Sequence, residues 1–183
     1  MACNTSLNGI TDDICEVYGG VVAVGIGVRE DVSTLTVADG EVTAMTVTPD
    51  MSTYFFKEGQ AFADGDSSID FSTGVTTYQN RLTLHAKGQT LLKRNELMAL
   101  SEGQRELYAI YKMDTGIYFA IGLNSEIEES EKLGARLQSV THNTGQQRSD
   151  ANEYVYVLSV DMDKALPLAV DETVADTLFN PGV

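Results

Sequence analysis

The sequence predicts a mainly β protein, a β-sandwich or β-barrel with one flanking α-helix. Its 183 residues include 16 glycines and three prolines, alongside many Thr and Val, a composition that favours strands joined by turns. Because 43% of the residues are hydrophobic, one domain spanning residues 1–183 can bury a core of its own. No segment of about 20 to 50 residues repeats, which argues against a solenoid or a propeller.

Strand and turn patterns define the N-terminal third. Polar residues at about 1–13 predict an N-terminal arm. The β-branched run Val21–Val28 predicts a strand. Two further strands, Val32–Val37 and Glu41–Val47, flank Asp39-Gly40. An Asp-Gly pair between such runs indicates a hairpin, because glycine accepts the positive φ of the turn.

The segment Asp70–Gly122 is the most strongly patterned part of the chain. Before it, the sequence predicts a short strand at Thr53–Lys57 and a polar connection at Gln60–Ser68. From Tyr78 to Ala86 apolar residues alternate with polar ones. We therefore expect a strand with one buried and one solvated face.

A helix and a second hairpin complete this segment. Thr90 is placed to cap a helix over Leu91–Glu102, and Gly103 fits its C-terminal cap. The predicted apolar side of the helix consists of Leu92, Leu97, Met98, Ala99 and Leu100. The runs Leu107–Lys112 and Ile117–Gly122, separated by a short loop containing Asp and Gly, predict the hairpin.

The C-terminal third contains one clear strand, Glu153–Val160. Residues of about 124–152 are polar and predict a long loop, whose first part is either a frayed helical turn or a strand that leads into the loop. Residues of about 167–183 predict an extended C-terminal tail.

The chain carries a formal net charge of −15 that is unevenly distributed. Residues 1–79 contain 12 acids and 2 bases, residues 80–112 contain 3 acids and 6 bases, and residues 113–183 contain 12 acids and 4 bases. Such acidity argues against gripping nucleic acid or an anionic membrane, but it fits a surface that DNA passes without sticking. Either solvated faces or complementary docking between neighbouring copies explains the imbalance.

Reactive residues form no recognisable site. Cys3 and Cys15 are too few for a disulfide framework and lack the histidine pattern of a zinc site, so we expect reduced thiols. The first residues lack the basic and apolar regions of a signal peptide, and no apolar run approaches a membrane span. We therefore expect a soluble protein, made inside a cell and without a membrane anchor.

The acidic and histidine residues also lack the spacing of a catalytic or metal site. Asp64-Gly65-Asp66 resembles the start of a calcium loop, but Ile69 and Val75 stand where a glycine and a glutamate are needed. Neither His85 nor His142 neighbours a nucleophile in a known motif. The sequence therefore predicts no enzyme, no catalytic residue, no metal and no cofactor.

The order of elements carries a family resemblance that covers most of the chain. Its parts are a strand ending near Arg81-Leu82-Thr83-Leu84, a helix around Arg94-Asn95-Glu96-Leu97, a hairpin over Tyr108–Gly122, the opening Gly9–Cys15 with Gly19-Gly20-Val21, and the late strand Glu153–Val160. This order is similar to that of bacteriophage tail-tube-like virion proteins, especially those of phages of Bacteroidetes hosts, including crAss-like phages. The similarity lies in the order of the elements and the general pattern of residue types, and not in a diagnostic motif.

The resemblance implies a structural virion protein that self-assembles into rings, usually hexameric, to form a phage tail tube or a tube-like channel for genome delivery. Its partners would be further copies of itself and other virion proteins, and DNA would pass without specific binding. The location implied is the virion tail, after synthesis in the bacterial host cytoplasm. Two alternatives stay open: a capsid-decorating or head–tail connector (neck) protein, and a carbohydrate-binding adhesin module whose platform would be Tyr154 and Tyr156.

Subunit contacts are predicted on the helix and in the longest polar extensions. The residues proposed for the interface are Lys93, Arg94, Glu126, Glu128, Glu129, Glu131 and Arg148. Lys93 and Arg94 are expected on an exposed helix face, where they would meet acidic loops of a neighbour. The glutamates from Glu126 to Glu131 are alternatively an acid/base pair, although exposed acids commonly cluster without such a role.

Overall fold

The computed structural model describes residues 5–7, 10–12, 20–57, 59–101, 105–123, 134–145, 150–163 and 166–179. Strands dominate these residues, which confirms the mainly β fold class. The strands are β1 (Thr5–Leu7), β2 (Ile10–Asp12), β3 (Val21–Val28), β4 (Val32–Ala38), β5 (Glu41–Val47), β6 (Ser52–Phe55), β7 (Ala61–Asp70), β8 (Val75–Lys87), β9 (Leu107–Met113), β10 (Tyr118–Ile121), β11 (Arg136–Asn143), β12 (Glu153–Asp163) and β13 (Leu168–Val170). The helices are α1 (Leu91–Ser101) and α2 (Glu172–Phe179).

The strands form two large sheets and one short pair. The seven-stranded sheet has the order β4-β5-β13-β10-β9-β3-β6, the four-stranded sheet has the order β11-β12-β8-β7, and β1 pairs with β2. In the four-stranded sheet every neighbouring pair is antiparallel. A bridge between Leu107 and Ala135 links the two large sheets at one corner, with N–H···O distances of 2.7 and 2.6 Å.

The main core lies between the two large sheets, which therefore pack as a sandwich. Val24 and Ala109 enter it from the seven-stranded sheet, and Leu82, Leu84 and Leu158 enter it from the four-stranded sheet. All five side chains are completely buried. The period of two along each strand produces this arrangement, because alternate residues of a strand point to the same face.

A second core covers the other face of the seven-stranded sheet. There Ile110 and Tyr118 pack with Ala175 and Leu178 of α2. Successive residues of β9 enter opposite cores, since Ala109 belongs to the first and Ile110 to the second. The centre of this sheet is thus buried on both faces, which explains why its central strands are continuously apolar.

The predicted hairpins and the helix cap are confirmed. Asp39 and Gly40 form the turn between β4 and β5 with φ angles of 52° and 81°. Thr90 caps α1, because its Oγ1 accepts a hydrogen bond from the backbone N–H of Lys93 at 3.3 Å and its carbonyl accepts one from Arg94 at 3.0 Å. The predicted C-terminal cap, Gly103, lies outside the described residues.

The predicted apolar side of α1 is wrong in part. Leu97 is buried and Leu100 is half-buried against the main core. Leu92, Met98 and Ala99 are exposed. The physical reason is that α1 packs on the sandwich along one narrow stripe of its surface, so most of its apolar residues face away from the core.

The polar connection predicted at Gln60–Ser68 is also wrong, since these residues contribute most of β7. β7 pairs with β8 over ten residues, from Ala61 opposite Leu84 to Asp70 opposite Val75. Its residues after Ala61 are all exposed. A strand with solvent on both faces carries no alternation of apolar and polar residues, so it could not be recognised from hydrophobic pattern.

Two further segments are more ordered than predicted. The long loop expected at about 124–152 contains the strand β11 in its middle, paired with β12. The extended tail expected at about 167–183 contains β13, which lies between β5 and β10, and the helix α2. Asp171 caps α2, accepting hydrogen bonds from the backbone N–H of Thr173 at 2.9 Å and from its hydroxyl, and these bonds lower the pKa of Asp171.

Candidate assembly surface

The outer face of the four-stranded sheet is polar and is the first part of the candidate surface. Alternation along β8 places Leu82 and Leu84 in the core and Arg81, Thr83 and His85 on the opposite face. We call this opposite face the outer face. On the neighbouring strands it carries polar residues such as Asp64, Asp66 and Glu153, together with the apolar Phe62, Val155 and Val157 opposite the middle of β8. The predicted solvated face of this strand is confirmed.

Arg81 and His85 hold three carboxylates of the outer face in place. Nη2 of Arg81 lies 2.8 Å from Oδ2 of Asp64 and 2.7 Å from Oδ2 of Asp66. Nδ1 of His85 lies 3.3 Å from Oε2 of Glu153. The two aspartates of the calcium-loop-like motif are therefore committed to an arginine of the adjacent strand.

The free edges of the four-stranded sheet form the second part of the candidate surface. β7 and β11 are its outermost strands, and within the described residues no strand pairs with the outer edge of either one. β7 is ten residues long and β11 is eight. Such edges present rows of backbone N–H and C=O groups that can pair with another strand.

The hydrogen bonds of β7 show which of its backbone groups face outward. The backbone N–H of His85 donates to the carbonyl of Gln60 at 2.8 Å, so these residues form a hydrogen-bonded pair at the start of the ladder. Such pairs alternate along an antiparallel ladder. The outward-facing positions of β7 are therefore Ala61, Ala63, Gly65, Ser67 and Ile69.

The far end of the β7–β8 hairpin is an exposed apolar tip. We define the tip as Ile69, Phe71 and Val75, whose exposed fractions are 53%, 94% and 53%. The carboxylate of Asp70 accepts hydrogen bonds from the N–H and hydroxyl of Ser72, at 2.8 and 2.7 Å, and from the Thr73 hydroxyl at 2.8 Å. These bonds lower the pKa of Asp70 to about 2, so the carboxylate beside the tip is ionised at neutral pH.

An open groove lies at the opposite end of β8, between β6, β8 and α1. Its volume is about 500 Å³, and it is lined by Tyr54, Phe55, Phe56, Lys87, Leu92, Lys93, Glu96, Leu97 and Tyr156, among others. We call it the α1 groove. The lips are exposed apolar side chains, since Phe55 is 78% and Leu92 is 69% exposed. Burial raises the pKa of the Tyr156 hydroxyl on the floor, and burial together with Glu96 raises that of Tyr54.

Basic groups outnumber acidic groups in the α1 groove. Among the residues that the structure describes, Lys87 and Lys93 line it beside one carboxylate, Glu96. Nζ of Lys93 donates to the carbonyl oxygens of Lys87 and Gly88, the latter at 3.2 Å, which holds the ammonium at the start of α1. Two of the six basic residues of the predicted positive segment, residues 80–112, thus lie at this groove.

The structure places two of the predicted interface residues. Arg94 is exposed on α1, as predicted, whereas Lys93 is half-buried against the end of β8. The other five, Glu126, Glu128, Glu129, Glu131 and Arg148, lie outside the described residues, as do Cys3 and Cys15.

The exposed tyrosine platform considered for carbohydrate binding is wrong. Tyr156 is buried opposite Leu84, and Tyr154 is half-buried against the main core. The physical reason is parity, because even-numbered residues of β12 in this stretch point to the core.

Reasoning from the sequence missed both free edges, the tip and the groove. One signal was present for the tip, since Asp70-Phe71-Ser72-Thr73-Gly74 combines an Asp that can bond its own turn with a glycine able to adopt positive φ. Gly74 has a φ of 72° and its N–H donates to the carbonyl of Asp70 at 2.8 Å. The groove had no local signal, because it joins segments distant in sequence.

The described residues contain no group of three or more His, Cys, Asp or Glu side chains able to hold a metal ion. They also contain no helix that is long and apolar enough to cross a membrane. The chain matches no protein-family model, and no curated protein is significantly similar to it.

Proposed function

We propose that this protein is a structural virion subunit that self-assembles into rings and so builds a phage tail tube or tube-like channel for genome delivery. The observation that carries the proposal is the four-stranded sheet, which among the described residues has an unpaired strand at each edge and a polar outer face. The resemblance of element order to tail-tube-like virion proteins supplies the biological setting. Both are arguments for assembly and not for a reaction.

The directions of the edge strands favour closure into a ring. Because the sheet has four strands and every neighbouring pair is antiparallel, β7 and β11 run in opposite directions. A rotation about an axis parallel to the strands preserves strand direction, so β7 of one copy would meet β11 of the next in antiparallel orientation. The sheet would then continue through every copy and remove all free edges, as in a closed barrel.

The outer face suits the wall of a DNA channel. Arg81 on this face is held by two aspartates, and Arg136, which lies opposite Ser159, pairs with Glu106. The face also carries Glu153, opposite Lys87 at the end of β8. A phosphate backbone passing such a wall would find few uncommitted positive charges, so it would not adhere. The net charge of −15 strengthens this repulsion.

Sedimentation velocity and negative-stain electron microscopy of the purified full chain test the proposal. We expect rings or tubes that increase with protein concentration and enclose a channel. A strictly monomeric species at high concentration would contradict the proposed function. Particles that bind to capsids as single copies would instead support the decorating or connector role.

A further inference from the structure

We propose that the hairpin tip of one copy inserts into the α1 groove of a second copy, and that this contact stacks the rings along the tube axis. The assignment of this contact to stacking along the tube axis rests on the proposed function. The contact itself is inferred from the tip and the α1 groove. The partner is therefore a second copy of this chain.

The tip and the α1 groove match in shape and in polarity. The tip presents three exposed apolar side chains around Phe71. The α1 groove offers an aromatic and aliphatic lining with exposed lips at Phe55 and Leu92. Exposed apolar patches of this kind mark interaction sites, and here one chain carries both a projection and a cleft of matching character.

The charge beside the tip is complementary to that of the α1 groove. Residues 61–79 contain three aspartates and no Lys or Arg. Two of these aspartates are paired with Arg81, which leaves Asp70 as the carboxylate beside the tip. Within the described part of the chain the α1 groove is lined by Lys87 and Lys93 against one glutamate, so an entering tip would bring Asp70 towards a net positive rim.

The tip and the α1 groove of one chain lie too far apart to touch each other. The tip adjoins the first residue of β8, and the α1 groove includes its last three residues, so they lie at opposite ends of a 13-residue strand. At about 3.4 Å per residue, this separation is about 40 Å. A chain cannot fill its own groove across that distance, so the contact must be between copies. Its direction runs along the strands, at right angles to the edge pairing, and repeated contacts would give stacks with a repeat of no more than about 40 Å.

Two variants at exposed positions test the contact. Phe71→Ser removes the tip, and Leu92→Glu places a charge on the lip of the α1 groove. Ile117→Ser is the matched control, because Ile117 is also exposed but lies in the β9–β10 turn. We expect wild type and Ile117→Ser to form tubes and the two variants to form single rings, with unchanged melting temperatures.

Mixing the two variants gives the sharper result. Phe71→Ser rings keep an intact groove and Leu92→Glu rings keep an intact tip, so an equimolar mixture should form pairs of rings and no long tubes. Tubes of normal length from either variant alone, or no pairing in the mixture, would overturn the inference. If wild type formed no rings, the proposed function would fail, and linear association of monomers would then test the contact. Linear association in wild type that is lost in Phe71→Ser would support the contact between tip and groove. No linear association in wild type would refute that contact.

Discussion

Replacing Ser67 with proline should abolish lateral assembly while leaving the subunit folded. The N–H of Ser67 faces the free edge of β7 and not β8, so proline removes no hydrogen bond of the existing ladder. Proline is tolerated in edge strands, and it favours the extended conformation that the preceding residue already adopts. An exposed change of this kind costs the monomer roughly 0.5 kcal/mol, which corresponds to a melting shift of about 2 °C.

The effect on assembly follows from the length of the edges. Pairing β7 with the eight residues of β11 would form about eight intermolecular hydrogen bonds. At roughly 0.5–1.5 kcal/mol net for each bond, this ladder contributes about 4–12 kcal/mol. A proline ring within the ladder removes one donor and separates the strands around it, so about half of the ladder is lost. The loss of about 2–6 kcal/mol weakens association by roughly 30-fold to 10⁴-fold.

Sedimentation velocity across a concentration series measures this effect, and thermal melting by circular dichroism measures folding. Ser67→Ala keeps the N–H and should assemble like wild type. Ser68→Pro removes a bond to β8 and should destabilise the hairpin, which tests the assignment of outward-facing groups. A folded Ser67→Pro variant that assembles at the wild-type concentration would refute the edge-pairing argument.

Three further predictions concern the subunit itself. Gly122→Ala should lower the free energy of unfolding by about 2–4 kcal/mol, since Gly122 has a φ of 75° and an added Cβ would lie 2.6 Å from backbone atoms of the bridge between the sheets. Urea titration measures this loss. The control Gly116→Ala should cost clearly less, because the space around Gly116 is open. The pKa of Asp70 in the folded protein is lowered to about 2, so its carboxylate stabilises the tip turn at pH values above the ordinary carboxyl pKa of 3.8. This contribution is lost as the pH falls towards 2. The NMR chemical shift of the Ser72 amide should follow that titration, and an unchanged shift down to about pH 2 would contradict the prediction. Leu158→Ala should cost about 2–5 kcal/mol in urea unfolding because Leu158 is fully buried between the sheets; a cost below about 1 kcal/mol would mean that the core is packed differently.

The sequence was sufficient for elements whose local signal and tertiary role agree. Val21–Val28 is β-branched and becomes an inner strand of the larger sheet. The Asp-Gly turn at Asp39-Gly40 and the Thr90 cap also formed as their local chemistry predicts. In each case the residues that decide the structure are adjacent in sequence.

The elements that were missed depend on partners far along the chain. β13 has three residues and is held by neighbours on both sides, so its strand conformation comes from the sheet and not from its own sequence. β7 and β11 are exposed and polar, and the hydrophobic period that reveals a half-buried strand is absent from them. The candidate site depends on these same strands, which is why charge and composition indicated assembly but not the surfaces that would carry it.

The most direct test of ring closure through the sheet edges is a cryo-electron microscopy reconstruction of the assembled protein. We expect a continuous sheet in which β7 of one copy lies antiparallel to β11 of the next, with Thr83 and Arg81 facing the channel. A ring in which both edges remain exposed to solvent, or in which the outer face points away from the channel, would contradict assembly through β7 and β11.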